Sequence, residues 1–180
     1  RNVYSGEVDE TYAGKEVRVA GWINSIRKLG GLTFVTLRDE KGIVQIITED
    51  ADMFKGITRE STVTITGTVR LRTEDMINPN MKTGKIEIFA SSVEVLGECA
   101  SILPFEINRS REEASEETRL KYRYLDLRNP KVHDNMVFRF KVIDYIRSLM
   151  KSMDFTEIST PIITTSSPEG ARDFIIPSRK

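Results

Sequence analysis

From Glu16 to Leu96 apolar residues recur at every second position, in runs separated by turn-forming residues, which is the signature of half-buried strands. Glu16–Ile26 (EVRVAGWINSI) is the first such run, with Trp22 read as a core residue. Leu32–Arg38 (LTFVTLR) follows a Lys28-Leu-Gly-Gly31 turn, and Asp39-Glu-Lys-Gly42 is a tight-turn signal before the third run, Ile43–Thr48. In Thr62–Arg72, Val63, Ile65, Gly67, Val69 and Leu71 share one face, while threonines with Arg70 and Arg72 share the other. Lys85–Leu96 is the fifth run. Its apolar phase shifts between Ile86/Ile88 and Val93/Val95, which predicts a bulge near Ser91.

Between the third and fourth runs, Asp50–Glu60 has room for one short helix. Five strands with a helix after the third is the layout of an OB-fold, a small Greek-key barrel. An SH3-like barrel competes but usually lacks that helix. After Gly97 the pattern changes. Gly97–Ser115 reads as a connector containing Pro104 and the charged stretch Arg109–Glu113. Glu116–Leu127 has helical spacing, with Leu120, Tyr124 and Leu127 on one side. Asn129-Pro130 is a cap followed by proline in the first turn, and Met136, Phe140, Ile143 and Met150 carry the helical period on to Met153. Phe155–Ser159 is expected to be a short strand, halted by Thr160-Pro161. The predicted fold is therefore a five-stranded OB-fold barrel over 1–97, a linker over 98–115, and an incomplete α/β domain over 116–180.

Composition narrows the function classes. The chain of 180 residues is 39% hydrophobic and 30% charged, as in soluble globular proteins. No apolar run approaches the length of a membrane span, and Arg1-Asn-Val-Tyr-Ser5 is no signal-peptide core. The single Cys99 and single His133 leave no internal disulfide, thiolate cluster or multi-histidine zinc site, so no metal is expected, and a reducing cytoplasm is the natural setting. Lysine plus arginine equals aspartate plus glutamate at 27 each. Any nucleic-acid contact must then come from a local patch rather than a basic field.

The second strand offers such a patch. If Val35 and Leu37 fill the core, Phe34 projects outward among polar residues, as a platform for an unpaired base. Gln45 interrupts an apolar strand with an amide that can both donate and accept. Arg27 ends the first strand beside Gly30-Gly31. The long loop Thr73–Gly84 presents Asn78 and Asn80 on either side of Pro79. The competing reading seats Phe34 in the core, puts Gln45 on an edge and makes the loop an ordinary polar turn. At the other end, Ser167–Lys180 carries Glu169, Arg172 and Asp173 beside Gly170. That segment is too polar for a core and suggests the approach to a site in the front part of a larger enzyme.

Several motifs occur in a telling order: Gly21-Trp-Ile-Asn24, Phe34–Asp39, Gly42-Ile-Val-Gln45, Tyr122-Arg-Tyr-Leu-Asp-Leu-Arg128, Phe155-x-Glu-Ile-x-Thr-Pro161, Pro168-Glu-Gly-Ala-Arg-Asp173 and Pro177-Ser-Arg179. Across nearly its whole length the chain resembles the N-terminal part of bacterial-type aspartyl-tRNA synthetases. The Arg-Tyr-Leu-Asp-Leu segment is shared with lysyl enzymes; Pro-Glu-Gly-Ala-Arg-Asp favours the aspartyl over the lysyl and asparaginyl ones. The resemblance implies an OB-fold anticodon-binding domain, a hinge and the start of a class II catalytic domain. The parent enzyme would join L-aspartate to ATP, with Mg2+, and pass the aspartyl group to tRNA(Asp), releasing AMP and pyrophosphate.

By the same resemblance Phe34 stacks on an anticodon base, Arg27 and Gln45 contact anticodon bases, and Asn78 and Asn80 belong to the anticodon-side loop. Met136–Ile163 matches motif 1, the homodimer element, with Met136, Phe140 and Pro161 at the interface; a helix packed on its own domain is the alternative. Asp154 stands where the family often has glycine. Glu169 would face the substrate ammonium from a closing loop. The motif 2 and motif 3 arginines would lie beyond Lys180, so these residues are expected to include no catalytic group, bind no cofactor and form no adenylate. Two other readings remain: a generic single-strand-binding OB module, or a fragment of a lysyl or asparaginyl enzyme. A dimerisation element is a third.

Overall fold

The computed structural model describes residues 1–107, 114–163 and 176–177. The stretch Arg109–Glu113 and the Ser167–Asp173 segment with Glu169 lie outside them. The chain forms two compact units, Arg1–Leu103 and Pro104–Lys180.

The first unit is a closed barrel of five strands: β1 (Glu16–Leu29), β2 (Leu32–Arg38), β3 (Ile43–Thr48), β4 (Thr62–Leu71) and β5 (Ile86–Gly97). They pair in the order β1-β2-β3-β5-β4, with β4 closing on β1. All pairs are antiparallel except β3 with β5. This is the OB-fold layout expected. Alternation fills the interior with Val17, Val19, Ile23, Val35, Leu37, Val44, Ile46, Val63, Ile65, Ile86 and Ile88, each at most 2% exposed. Leu71, placed by alternation on that same face, lies at the frayed end of β4 and is exposed. Closure leaves no open edge.

Three bulges bend the strands. Gly67 pairs with Ala90 and Thr66 with Ser92, so Ser91 is the extra residue where the apolar phase shifts. A second bulge lies at Asn24, where Ile23 pairs with Leu37 but Ser25 with Thr36, and a third at Leu96, where Val63 pairs with Val95 but Thr62 with Gly97. Gly30 and Gly31, with φ of 59° and 83°, make the two-residue turn from β1 to β2, a conformation that favours glycine.

Three expectations are corrected. No helix forms over Asp50–Glu60. Bonds spanning three residues, from Lys55 N–H to Asp52 O and from Ile57 N–H to Phe54 O, make successive turns instead. The Asp50 carboxylate accepts from Asp52 N–H, and Gly56 sits at φ 78°, so the local chemistry is that of turns. Phe54 still plugs the barrel at 4% exposure. Trp22 is half-buried on the outer face rather than in the core, because its even position opposes Val19 and Ile23. Phe155–Ser159 forms no strand among the described residues.

In the second unit, Glu116–Leu127 is broken at Tyr122 (φ −108°, ψ 46°) into α1 (Glu116–Lys121) and α2 (Arg123–Asp126). The Ser115 side chain caps α1 by accepting from Thr118 N–H. The long helix α3 (Pro130–Ser152) starts as the sequence predicts, with Asn129 Oδ1 accepting from Lys131 N–H at 3.1 Å and Pro130 in the first turn. Beyond its end, Asp154 takes φ 63°, a left-handed position that suits glycine and that aspartate tolerates better than most. The Arg147 guanidinium and Glu157 carboxylate, 3.0 Å apart, tie the segment after the helix back to α3.

Candidate nucleic-acid interface

The Asn24 bulge decides what β1 presents. Val17, Val19 and Ile23 point inward, and strict alternation would turn Ser25 and Arg27 inward too. The extra residue reverses the phase, so Ile26 pairs with Val35 and packs on the core, while Arg27 stands opposite Phe34 on the outer face. Hydrogen bonds hold the bulge. Asn24 Nδ2 donates to Thr36 Oγ1 at 3.2 Å, the Ser25 and Thr36 hydroxyls are 2.7 Å apart, and Arg38 Nη1 donates to Asn24 Oδ1 at 3.3 Å. Arg38 Nη2 in turn donates to both Glu60 carboxylate oxygens, at 2.9 and 2.8 Å. That pair is nearly sealed from water, with side chains 11% and 2% exposed.

Two rows of side chains cross the outer face. Arg27 pairs with Phe34, Phe34 with Ile47 and Ile47 with Phe89; alongside, Ser25 pairs with Thr36 and Thr36 with Gln45. Phe34 is half-buried, its ring facing a concavity of about 460 Å³ lined by Arg27, Gln45, Asn78 and Met81 among others. Four of the five sequence-predicted contacts thus share one hollow. Asn80 is exposed on the loop and does not line it.

Two residues missed in the sequence hold the floor. Gln45 Nε2 donates to Glu87 Oε2 at 3.2 Å, which leaves Oε1 to accept from a ligand. Glu87 also lies 3.5 Å from Arg72 Nε, whose side chain is only 4% exposed. Burial pushes the Arg72 pKa below its ordinary value while Glu87 opposes that shift; an arginine still stays charged. Alternation had put Arg72 on the outer face, but nothing in the sequence marked Glu87 as its partner. The Asn78 carbonyl Oδ1 accepts from Asn80 N–H at 3.0 Å, and Asn78 N–H donates to Gly84 O at 3.1 Å. With Oδ1 engaged, the NH2 of Asn78 is what it can offer a ligand.

In the second unit the predicted interface residues are open: Met136 is 40% and Phe140 67% exposed, and Pro161 is exposed in irregular chain. They belong to a larger set. Val137, Phe138, Ile143, Tyr145, Ile146 and Leu149 are also exposed, and at helical spacing they fall on every side of α3. Among the described residues no helix is long and apolar enough to cross a membrane.

Comparison with known proteins follows this division. Residues 17–96 match the family model of the OB-fold nucleic acid binding domain, and 115–180 match that of tRNA synthetases class II (D, K and N). The chain is similar to Aspartate--tRNA ligase of Streptomyces griseus subsp. griseus, at 47% identity over 97% of this chain and 29% of that protein. It is similar to Aspartate--tRNA(Asp/Asn) ligase of Dinoroseobacter shibae, at 46% identity over 96% of this chain and 30% of that one. Among solved structures, asparaginyl-tRNA synthetase of Pyrococcus horikoshii complexed with asparaginyl-adenylate matches with TM-score 0.76 and 30% identity, over 94% of this chain and 38% of that one. The asparaginyl-tRNA synthetase of Entamoeba histolytica matches with TM-score 0.70 and 25% identity, over 92% and 39%. The chain spans under a third of the length of the curated relatives quoted. With 46–47% identity across nearly all of it to aspartate-tRNA ligases, and a class II synthetase match following the OB-fold one, this chain belongs to the class II aspartyl-tRNA synthetase family.

Proposed function

We propose that the barrel reads the anticodon of an aspartate tRNA, as the decoding portion of an aspartate-tRNA ligase. The observation that carries this is the hollow into which Phe34, Arg27, Gln45 and Asn78 converge from three strands and a loop. Phe34 stacks on an unpaired base, an interaction that suits a splayed-out loop nucleotide. Gln45, held by Glu87, offers Oε1 to that base's edge. Arg27 meets a base or phosphate beside it. Asn78 donates from the opposite wall, and Asn80 approaches from the loop tip.

The domain reading goes with this: anticodon binding over 1–97, a hinge over 98–115, and the beginning of the catalytic domain over 116–180. The proposed parent reaction joins aspartate to ATP as the adenylate and transfers it to tRNA(Asp), in the cytoplasm. ATP and magnesium are its cofactors. Among the described residues no group of three His, Cys, Asp or Glu side chains could hold a metal ion. Glu169 is proposed to face the substrate ammonium. Helix α3, with Met136, Phe140 and Pro161, is proposed as the homodimer element. Its exposed apolar residues, Phe138, Phe140, Tyr145 and Ile146 among them, leave more open apolar surface than isolated surface residues do, which supports a covering partner.

A competition assay tests the decoding role. A labelled RNA hairpin with the aspartate anticodon is displaced by the same unlabelled hairpin, by one with the asparagine anticodon, and by an unstructured strand of equal length. Preference for the anticodon hairpins supports the reading; equal displacement by the unstructured strand makes the barrel a generic single-strand binder instead. The asparagine arm assigns which kind of relative the chain follows.

A further inference from the structure

We propose that the outer face carries a second stacking position, formed by the Arg70 guanidinium lying on the Phe89 ring, which takes a different nucleobase from the one on Phe34. The inference rests on the nucleic-acid reading above and extends it across the sheet. The Arg70 guanidinium carbon lies 3.8 Å from the Phe89 ring centroid. Both residues are on the outer face: their neighbours Val69 and Ile88 are in the core, and Arg70 stands opposite Glu87.

Phe89 shares a row with Phe34, separated by Ile47. Two strand spacings put the two rings about 10 Å apart. A base centred over one ring then lies beyond the roughly 7 Å reach of aromatic contact with the other, so each ring takes its own base. Ile47, 7% exposed, makes an apolar floor between them. The row thus reads as two platforms and a low bridge, a shape suited to a strand lying across the sheet.

Arg70 is also free to act. Glu87, directly opposite it, is turned to Gln45 and Arg72 instead. Among the described residues Arg70 makes no ion pair or hydrogen bond, whereas Arg18 pairs with Glu94 and Arg38 with Glu60. Arg70 is exposed, so the guanidinium that sits over the Phe89 ring is also open to solvent. A guanidinium plane is weakly hydrated and stacks on rings, and RNA bases stack on arginine planes as they do on aromatics.

The test uses the full chain and an RNA hairpin carrying the aspartate anticodon, together with hairpins made abasic at one loop position at a time. Arg70→Ala and Phe89→Leu are each expected to weaken hairpin binding about five- to tenfold, within the range of one base stack. The double variant should lose little more, because the two side chains act as one platform. Arg70→Lys should lose as much as Arg70→Ala, since it keeps the charge but not the plane. One abasic position should abolish the difference between parent and variants, and it should not be the position that abolishes the effect of Phe34→Ala. Variants that bind every hairpin like the parent, while Phe34→Ala weakens binding, would overturn the second platform and leave the first standing. So would full retention by Arg70→Lys, which would mark a phosphate contact. Failure of the parent itself to bind any hairpin would overturn the nucleic-acid reading, and this inference with it.

Discussion

The barrel and the helical unit treat their apolar residues in opposite ways. In the barrel, alternation sends Val19, Val35, Leu37, Ile46 and Ile65 to a common interior and leaves each at 0% exposure. In α3, Phe138, Phe140 and Tyr145 are all more than 60% exposed. The barrel closes on itself, and its core is completed from within the same unit by Phe54, Val3 and Val8. The helix has apolar residues on every side and only Val132 buried. The contrast separates a unit that closes on its own core from one whose apolar residues stay open, and it is what the proposed division into a decoding barrel and an assembly helix rests on.

The sharpest way to break that contrast is to separate the units. Residues 1–103 alone should unfold cooperatively in urea and sediment as a monomer. Residues 104–180 alone should lack a cooperative transition or self-associate. A stable monomeric helical unit would contradict the account. Next in size are paired substitutions. Ile65→Ala should cost the barrel about 2–5 kcal/mol through lost burial and a residual cavity, whereas Phe138→Ala should shift stability by no more than about 0.5 kcal/mol; denaturant midpoints compare them. Glu60→Ala strands Arg38 in a nearly closed site, and removing one partner of such a pair costs about 3 kcal/mol. Because Arg38 also holds the Asn24 bulge, that variant should lose hairpin affinity as well.

The smallest expected effect is a pH dependence. The Lys85 ammonium, 2.8 Å from Glu10, holds the Glu10 carboxyl below its ordinary pKa, and Lys85 is itself raised by Glu10. A lowered carboxyl stabilises above the ordinary carboxylate range and loses that contribution as pH falls through the lowered value. A raised ammonium stabilises below its ordinary value and loses its contribution as pH rises through the raised one. Both groups are exposed, so the difference in urea midpoint between parent and Lys85→Met should be small at neutral pH and vanish in acid.

Much of the barrel was legible because period-two alternation is a strong signal. It located all five strands, and the phase shift from Ile88 to Val93 located the Ser91 bulge. The same kind of signal lay unused in β1, where Ile26 falls out of phase with Val17, Val19 and Ile23; it marks the bulge that brings Arg27 beside Phe34. Trp22 was misread from its hydrophobicity when its even position already placed it outside. The helix expected over Asp50–Glu60 rested on fold layout and loop length, and Asp50, Asp52 and Gly56 favoured turns instead. Phe155–Ser159 has strand-like composition but no partner strand among the described residues. The Gln45–Glu87–Arg72 arrangement was out of reach because it joins β3, β5 and the residue after β4 through side-chain contacts that no periodicity encodes.

The most direct test of the central claim is the affinity of Phe34→Ala for an RNA hairpin bearing the aspartate anticodon, measured beside the parent chain. The account predicts a loss of about 1–3 kcal/mol, the worth of one base on an aromatic ring, with the melting transition of the barrel retained. Affinity equal to the parent's would remove the ring from the interface and contradict the decoding role.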